Sequence, residues 1–278
     1  MPDRYAVLGS PVAHSLSPQI HTLFAAQTHQ DLTYEKIEAP REGFIASVQH
    51  FIQNFGKGLN ITLPFKEEAW LFATQKTERA EEARAVNTLT FENDTILGDN
   101  TDGEGFIRDL TQNHLYSLKG KQILLLSAGG AARGIMGPIL RENPESLCLC
   151  NRTLMRAQSL VSHFSLKARS SVLQSTDYST LTGRFDLIIN ATSASVQGTL
   201  PPLSPHIVQG TFCYDLMYSN VPTAFIQWAK QNNALYTSDG LGMLVEQAAS
   251  AFYLWRGIHP DTSPVLAILQ NARFKIKH

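Results

Sequence analysis

A lysine and an aspartate, each at the start of a predicted helix, are the residues of this chain best suited to moving a proton. Leu63-Pro64-Phe65-Lys66 puts Lys66 in a first helical turn, and Asn100-Thr101-Asp102-Gly103 puts the Asp102 carboxylate at the head of another helix. Pro64 fits the first helical position, so Lys66 falls near the third, where Glu or Gln is favoured. A cation there opposes the helix macrodipole by about 0.3–1 kcal/mol. A local rule broken without local gain often marks a functional position. The alternatives are a surface lysine and, for Asp102, a simple N-cap of the helix opening at Gly103. Together an ammonium and a carboxylate can donate and accept protons at a substrate oxygen.

A second constellation suits a nucleotide. Ser127-Ala128-Gly129-Gly130-Ala131-Ala132-Arg133-Gly134 follows the apolar run 123–126 and opens a helix, the placement that a pyrophosphate-cradling turn requires. Ser127 stands where the first glycine is usual, and serine fills that place if its φ stays negative. An NAD site usually has an acidic residue roughly 20 positions further on. Here the next strand ends in Cys150-Asn151-Arg152-Thr153, with Arg156 following. Thr153 is a candidate N-cap, and Arg152 and Arg156, four apart, can converge on one anion. Two guanidinium forks suit a 2′-phosphate, so the reading is NADP, against a merely solvated basic surface. Thr192, in the run Asn190-Ala191-Thr192-Ser193 that ends a later strand, is a candidate ribose contact, with ordinary turn chemistry as the alternative.

Weaker single signals surround these. Ser17 before Pro18 makes a good N-cap, yet a helix N-terminus with adjacent hydroxyls also receives a carboxylate. Asn60, Thr62 and Asn87 sit at strand ends or turn edges and could bind hydroxyls. After Asp239, Met243 and Gln247 share a helix face, while Leu244, Ala248, Ala251 and Trp255 form an apolar stripe.

The elements that must position these groups alternate between strand and helix patterns. Strand candidates are 5–8, 33–38, 58–62 and 86–92, then 122–126, 146–150, 186–191 and 211–216. Helices are expected over 18–28 and 42–55, and after 64, 131, 153, 222 and 239. This alternation argues for α/β architecture with parallel sheets covered by helices. The expected organisation is an N-terminal α/β substrate domain (1–102), a Rossmann-like NADP-binding domain (103–238) and C-terminal helices (239–278) returning to the first. A hinge at the two crossings would let the domains close around their ligands.

Bulk properties narrow the partners. The 278 residues are 43% hydrophobic, enough for a substantial core, and 23 Lys+Arg against 24 Asp+Glu leave no basic field for nucleic acid or anionic membrane. No run is long enough to span a bilayer, and no signal segment opens the chain, so a cytoplasmic location is expected. Cys148-Leu149-Cys150 matches no common zinc spacing; buried reduced thiols are the better reading of all three cysteines, Cys213 included.

In order along the chain stand Gly9-Ser10-Pro11-Val12-Ala13-His14-Ser15-Leu16-Ser17-Pro18, Asn60-Ile61-Thr62-Leu63-Pro64-Phe65-Lys66, Ala85-Val86-Asn87-Thr88, Asp99-Asn100-Thr101-Asp102-Gly103, Asn151-Arg152-Thr153, Asn190-Ala191-Thr192-Ser193, Asp215-Leu216-Met217-Tyr218 and Asp239-Gly240-Leu241-Gly242-Met243-Leu244 with Gln247. The set resembles the shikimate dehydrogenases of the aromatic amino-acid pathway over nearly the whole chain. The resemblance implies NADPH-dependent, reversible reduction of 3-dehydroshikimate to shikimate, with Lys66 and Asp102 as the catalytic pair. It implies Ser15 and Ser17 at the substrate carboxylate, Asn60, Thr62, Asn87 and Gln247 around the ring, and Tyr218 from the second domain. It further implies Ala128, Gly129, Gly130 and Ala131 at pyrophosphate, Asn151, Arg152, Thr153 and Arg156 at the adenosine phosphate, and Leu216, Gly240 and Met243 near the nicotinamide. Departures from the family pattern are Ser127, Ser195 at a common glycine place, and Thr22 after His21 where asparagine is typical. Rival readings are a quinate/shikimate dehydrogenase with dual cofactor use, a non-catalytic NADP- or shikimate-binding sensor, and another two-domain reductase such as a folate dehydrogenase. Either a monomer or a homodimer is compatible, with small molecules as the only partners and no metal.

Overall fold

The computed structural model describes residues 1–168, 170–192, 194 and 198–275. It divides into two compact units, Met1–Phe106 with Leu244–Gln270, and Ile107–Met243 with Asn271–His278.

The first unit starts with β1 (Asp3–Gly9), α1 (Ser17–Thr28), β2 (Leu32–Glu38), α2 (Phe44–Gln53) and β3 (Gly56–Ile61). It continues through α3 (Lys66–Phe72), β4 (Gln75–Lys76), α4 (Glu78–Ala83), β5 (Thr88–Glu92), β6 (Thr95–Asp99) and α5 (Asp102–Arg108), the last running into the second unit. Its sheet has the order β2-β1-β3-β5-β6-β4. β1 pairs in parallel with β2 and β3, whereas β5 pairs antiparallel with β3 and β6, setting Asn60 opposite Thr88. The sheet is therefore mixed: β5 runs against both neighbours, and the short β5–β6 hairpin turns the chain back so that β6 pairs in parallel with β4. Ala6, Leu8, Leu59 and Ile61 pack with Phe44, Val48, Phe51 and Phe65 into one core.

The second unit carries a π-helical turn (Asp109–Asn113), β7 (Gln122–Leu126), α6 (Gly130–Arg141), β8 (Ser146–Cys150), α7 (Leu154–Phe164) and β9 (Val172–Thr176). Then come β10 (Leu187–Asn190), β11 (Phe212–Asp215), α8 (Ala224–Gln231) and β12 (Tyr236–Asp239); the chain ends with α9 (Leu241–Arg256) and α10 (Thr262–Lys275), whose residues 244–256 and 262–270 belong to the first unit. Every strand pair of this sheet is parallel, in the order β12-β11-β10-β7-β8-β9. That is the doubly wound Rossmann arrangement, and its order reverses between β7 and β10, where ligands bind at the carboxyl ends of strands. β10 and β11 are buried at every position, as continuous apolar runs covered on both faces must be.

Several expectations need correction. The pattern missed β4, a two-residue strand, β9 and β12, which carry polar and partly exposed positions, and β6, whose apolar run is only Ile96-Leu97. The α9 stripe is too narrow a description, since Leu241–Met243 and Val245–Phe252 are buried on all sides. The unit boundaries fall inside helices: 103–106 stay with the first unit, while 239–243 and 271–275 belong to the second. Gly242 lies against Asp109, and Arg273 pairs with Asp239 at 2.8 Å, which ties those segments to the second unit.

Candidate active site

Lys66 is the first residue of α3, and its ammonium donates to Asp102 Oδ2 at 2.5 Å. Pro64 does not start the helix as expected. The first helical hydrogen bond runs from the Ala69 N–H to the Phe65 carbonyl, and buried Phe65 anchors that turn in the core. The side chains of the pair are only 13% and 5% exposed, so water competes little for either charge.

Asp102 does not cap α5, which begins at Asp102 itself. Its N–H donates to Asn100 Oδ1 at 3.1 Å, freeing the carboxylate for Lys66 and for Asn87 Nδ2, which donates to Oδ1 at 2.8 Å. Asn87 is the hub. Its amide also reaches Thr101 Oγ1 at 2.8 Å and Gln247 Oε1 at 3.2 Å, and its Oδ1 accepts from the Thr101 N–H and the Thr88 hydroxyl. Thus α9 brings Gln247 into a cluster built from β5 and the start of α5.

Ser17 is not the cap of α1. Leu16 occupies the cap position without a side-chain bond, and Ser15 Oγ accepts from the Ser17 N–H at 3.2 Å while donating to Ser17 Oγ at 3.1 Å. This leaves an uncapped helix start with two hydroxyls, the arrangement that a carboxylate suits. Asn60 is buried; Tyr34 donates to its Oδ1 at 2.7 Å, and its Nδ2 donates to the Asn87 carbonyl and Thr88 Oγ1. Thr62 is partly exposed just past β3, its methyl pressed against Gly9.

In the second unit the turn after β7 leads into α6 through Gly129, which takes the cap position with no side-chain cap and no acidic residue in the first turn. Gly129 has φ −86°, a conformation open to any residue, and a side chain there would meet only Ser127 Oγ, at 3.5 Å. Neither backbone strain nor internal packing requires glycine, so the space fits a group from outside, and uncapped N–H donors fit an anion. Ser127 contradicts the expected negative φ: it sits at +107°, a region that favours glycine, with its hydroxyl accepting from the Gly129 N–H at 3.2 Å.

Thr153 holds the cap position of α7, but its hydroxyl makes no cap bond; Asn151 instead donates to its carbonyl at 2.9 Å. Arg152 and Arg156 are exposed on either side of that start. The Thr192 hydroxyl serves turn chemistry, donating to Asn190 Oδ1 at 2.7 Å. Ser193 and Ser195 lie outside the described residues. Leu216 is tied to β10 by its N–H bond to the Asn190 carbonyl at 2.9 Å. Gly240 is required by close approach, because a Cβ would lie 2.2 Å from the Leu216 carbonyl oxygen. Met243 is buried, Tyr218 partly so.

Thr101, Tyr34, Thr88 and Asn100 belong to these networks and escaped the sequence reading as site residues. Thr101 lay within the quoted Asn100–Asp102 run, yet its bond to Gln247, 3.3 Å long, joins positions remote in sequence. Tyr34 carries no signal beyond its strand. Among the described residues no group of His, Cys, Asp or Glu could hold a metal ion, and no helix is long and apolar enough to cross a membrane.

Comparison with known proteins gives a consistent result. Residues 7–89 match the model described as shikimate dehydrogenase substrate binding domain, 109–197 that of shikimate/quinate 5-dehydrogenase, and 240–270 that of the shikimate 5'-dehydrogenase C-terminal domain. The shikimate dehydrogenase (NADP(+)) of Hahella chejuensis (strain KCTC 2396) is 51% identical over 270 residues, covering 97% of this chain and 99% of that one. Among solved structures, an Ael1 enzyme from Pseudomonas putida has TM-score 0.86 at 42% identity, covering 96% of this chain and 98% of its own. Shikimate 5-dehydrogenase from Thermus thermophilus, in complex with NADP(H) and shikimate, has TM-score 0.84 at 31% identity, covering 97% and 99%.

Proposed function

The chain belongs to the shikimate dehydrogenase family, and from that premise we propose that it catalyses the reversible NADPH-dependent reduction of 3-dehydroshikimate to shikimate, with Lys66 and Asp102 as its catalytic pair. The observation that carries the reading is the Lys66–Asp102 ion pair, 2.5 Å long and withdrawn from solvent within a wall of hydrogen-bonding side chains.

When bound, NADPH supplies a hydride to the carbonyl carbon. The oxygen left behind needs a proton, and the Lys66 ammonium can deliver it, or remove it in the reverse direction. The same positive charge stabilises the developing alkoxide. Asp102 orients the ammonium and is itself held by Asn87. Ser15 and Ser17 offer hydroxyls and a helix N-terminus to the substrate carboxylate. Asn60, Thr62, Asn87 and Gln247 serve the ring, with Tyr218 completing the substrate set. Ala128, Gly129, Gly130 and Ala131 take the pyrophosphate; Asn151, Arg152, Thr153 and Arg156 take the 2′-phosphate end; Thr192, Leu216, Gly240 and Met243 serve the ribose and nicotinamide end. The near balance of charge leaves no basic field for nucleic acid or anionic membrane, in keeping with small-molecule partners, and the reading takes the protein as a cytoplasmic monomer or homodimer.

The test is NADPH consumption with 3-dehydroshikimate, run beside quinate and NAD+ controls. Lys66→Ala is expected to lower kcat by roughly 10²–10⁴ while shikimate still binds. Near-normal kcat with only a raised KM would remove Lys66 from proton transfer.

A further inference from the structure

Tyr34 and His21 lie behind Asn60 and belong to no role assigned so far. His21, on α1, is fully buried and surrounded by rings. It stacks on Tyr34 with centroids 4.2 Å apart and planes 7° from parallel, while Trp255, Phe24 and Phe252 close the remaining sides at 5.4–6.1 Å. Neither ring nitrogen of His21 makes a hydrogen bond of normal geometry to a described residue, the Asn60 side chain being its polar neighbour. The stack gives the phenol ring a flat, fixed backing, so the Tyr34 hydroxyl is presented at one place.

That place is Asn60 Oδ1, which accepts from Tyr34 at 2.7 Å. The orientation of the carboxamide is settled by its other end. Nδ2 points at the Asn87 carbonyl at 3.3 Å and at Thr88 Oγ1 at 3.1 Å; a carbonyl can only accept, so nitrogen must be there. The Thr88 hydroxyl spends its own proton on Asn87 Oδ1 at 2.9 Å, leaving a lone pair for Asn60. Both amide protons of Asn60 are thus committed to the protein. Any hydrogen bond that Asn60 makes to a ligand must therefore be accepted by Oδ1.

We propose that Tyr34, backed by His21, is a positioning residue that pins the Asn60 carboxamide with its oxygen as the only free hydrogen-bonding capacity, so that Asn60 selects a substrate hydroxyl and rejects an acceptor in its place. This rests on Asn60 being a substrate residue of the proposed dehydrogenase. A hydroxyl that donates to Oδ1 completes the carboxamide, whereas a carbonyl or ether oxygen there would face a lone pair.

The experiment is a double-variant cycle on shikimate oxidation by NADP+ with the full chain, using Tyr34→Phe, Asn60→Ala and both together. Tyr34→Phe keeps the stacked ring and removes only the hydroxyl. It is expected to raise the KM for shikimate three- to tenfold while kcat and the KM for NADP+ stay within twofold, which also certifies the fold. Asn60→Ala is expected to raise the shikimate KM at least tenfold, and the double variant to be no worse than Asn60→Ala within a factor of two. The preference for shikimate over its 4-deoxy or 5-deoxy analogue should fall in both single variants. An unchanged KM in Tyr34→Phe, or penalties that multiply in the double variant, overturns the positioning role and leaves the proposed activity standing. An unchanged KM in Asn60→Ala overturns it as well, by removing Asn60 from the substrate site. Absence of wild-type turnover overturns both readings.

Discussion

Burial of the imidazole inside the aromatic cluster pushes the pKa of His21 down to about 3, with the Asn60 side chain beside it working the other way. In the unfolded chain the ring titrates near 6.5. Between those values the unfolded state binds the extra proton, so this contribution leaves stability intact above about pH 6.5 and removes it as the pH falls toward 3. From pH 7 to pH 5 the loss is about 2 kcal/mol. Urea unfolding at pH 7 and pH 5 should therefore show the wild type losing about 2 kcal/mol more than His21→Phe; equal losses would mean that another group titrates. The thiols behave in the same physical sense, since burial pushes Cys148 up to about 11 and Cys150 and Cys213 up to about 12, disfavouring thiolate chemistry. Lys66 and Asp102 were legible from their runs alone, as a cation and a carboxylate at helix starts. Asn87 was legible only as a polar residue at a strand edge. Its place as hub depends on Thr101, Asp102 and Gln247, and Gln247 is 160 positions away.

At the scale of elements, two glycine-bearing helix starts behave oppositely. At the start of α9, a Cβ on Gly242 would lie 1.9 Å from Asp109 Oδ1, and that carboxylate is buried and held by the Tyr214 hydroxyl at 2.5 Å. Gly242→Ala is expected to destabilise the protein by about 2–3 kcal/mol, as overpacking against a fixed group does. At the start of α6 a Cβ on Gly129 meets nothing closer than 3.5 Å. Gly129→Ala should leave the urea midpoint nearly unchanged but weaken NADP+ binding at least tenfold, read by titration of bound coenzyme. The reverse pattern would show that Gly129 serves the fold and not a ligand. Sequence placed α6 correctly after an apolar strand, because that signal is local. It misjudged Ser127, whose φ of +107° is set by the route from β7 into α6 and not by its own preference.

For the whole molecule, binding to the native state alone raises stability by mass action. NADP+ at about 100 times its Kd should add about 2.7 kcal/mol, measured as a rise in urea midpoint. NAD+ at the same concentration should add clearly less, and Arg152→Glu with Arg156→Glu should abolish the difference. An equal response to both coenzymes in the wild type would overturn the 2′-phosphate role of these arginines. By itself the sequence determined the α/β class, the parallel sheet of the second unit and the family, since alternation and motif spacing are short-range properties. Only the tertiary structure decided that the first sheet is mixed, that α5 and α9 each run through a unit boundary, and which side chains spend their hydrogen bonds on one another. Those outcomes depend on groups brought together from far apart in the chain, and hydrogen-bond capacity is shared out only when the partners meet.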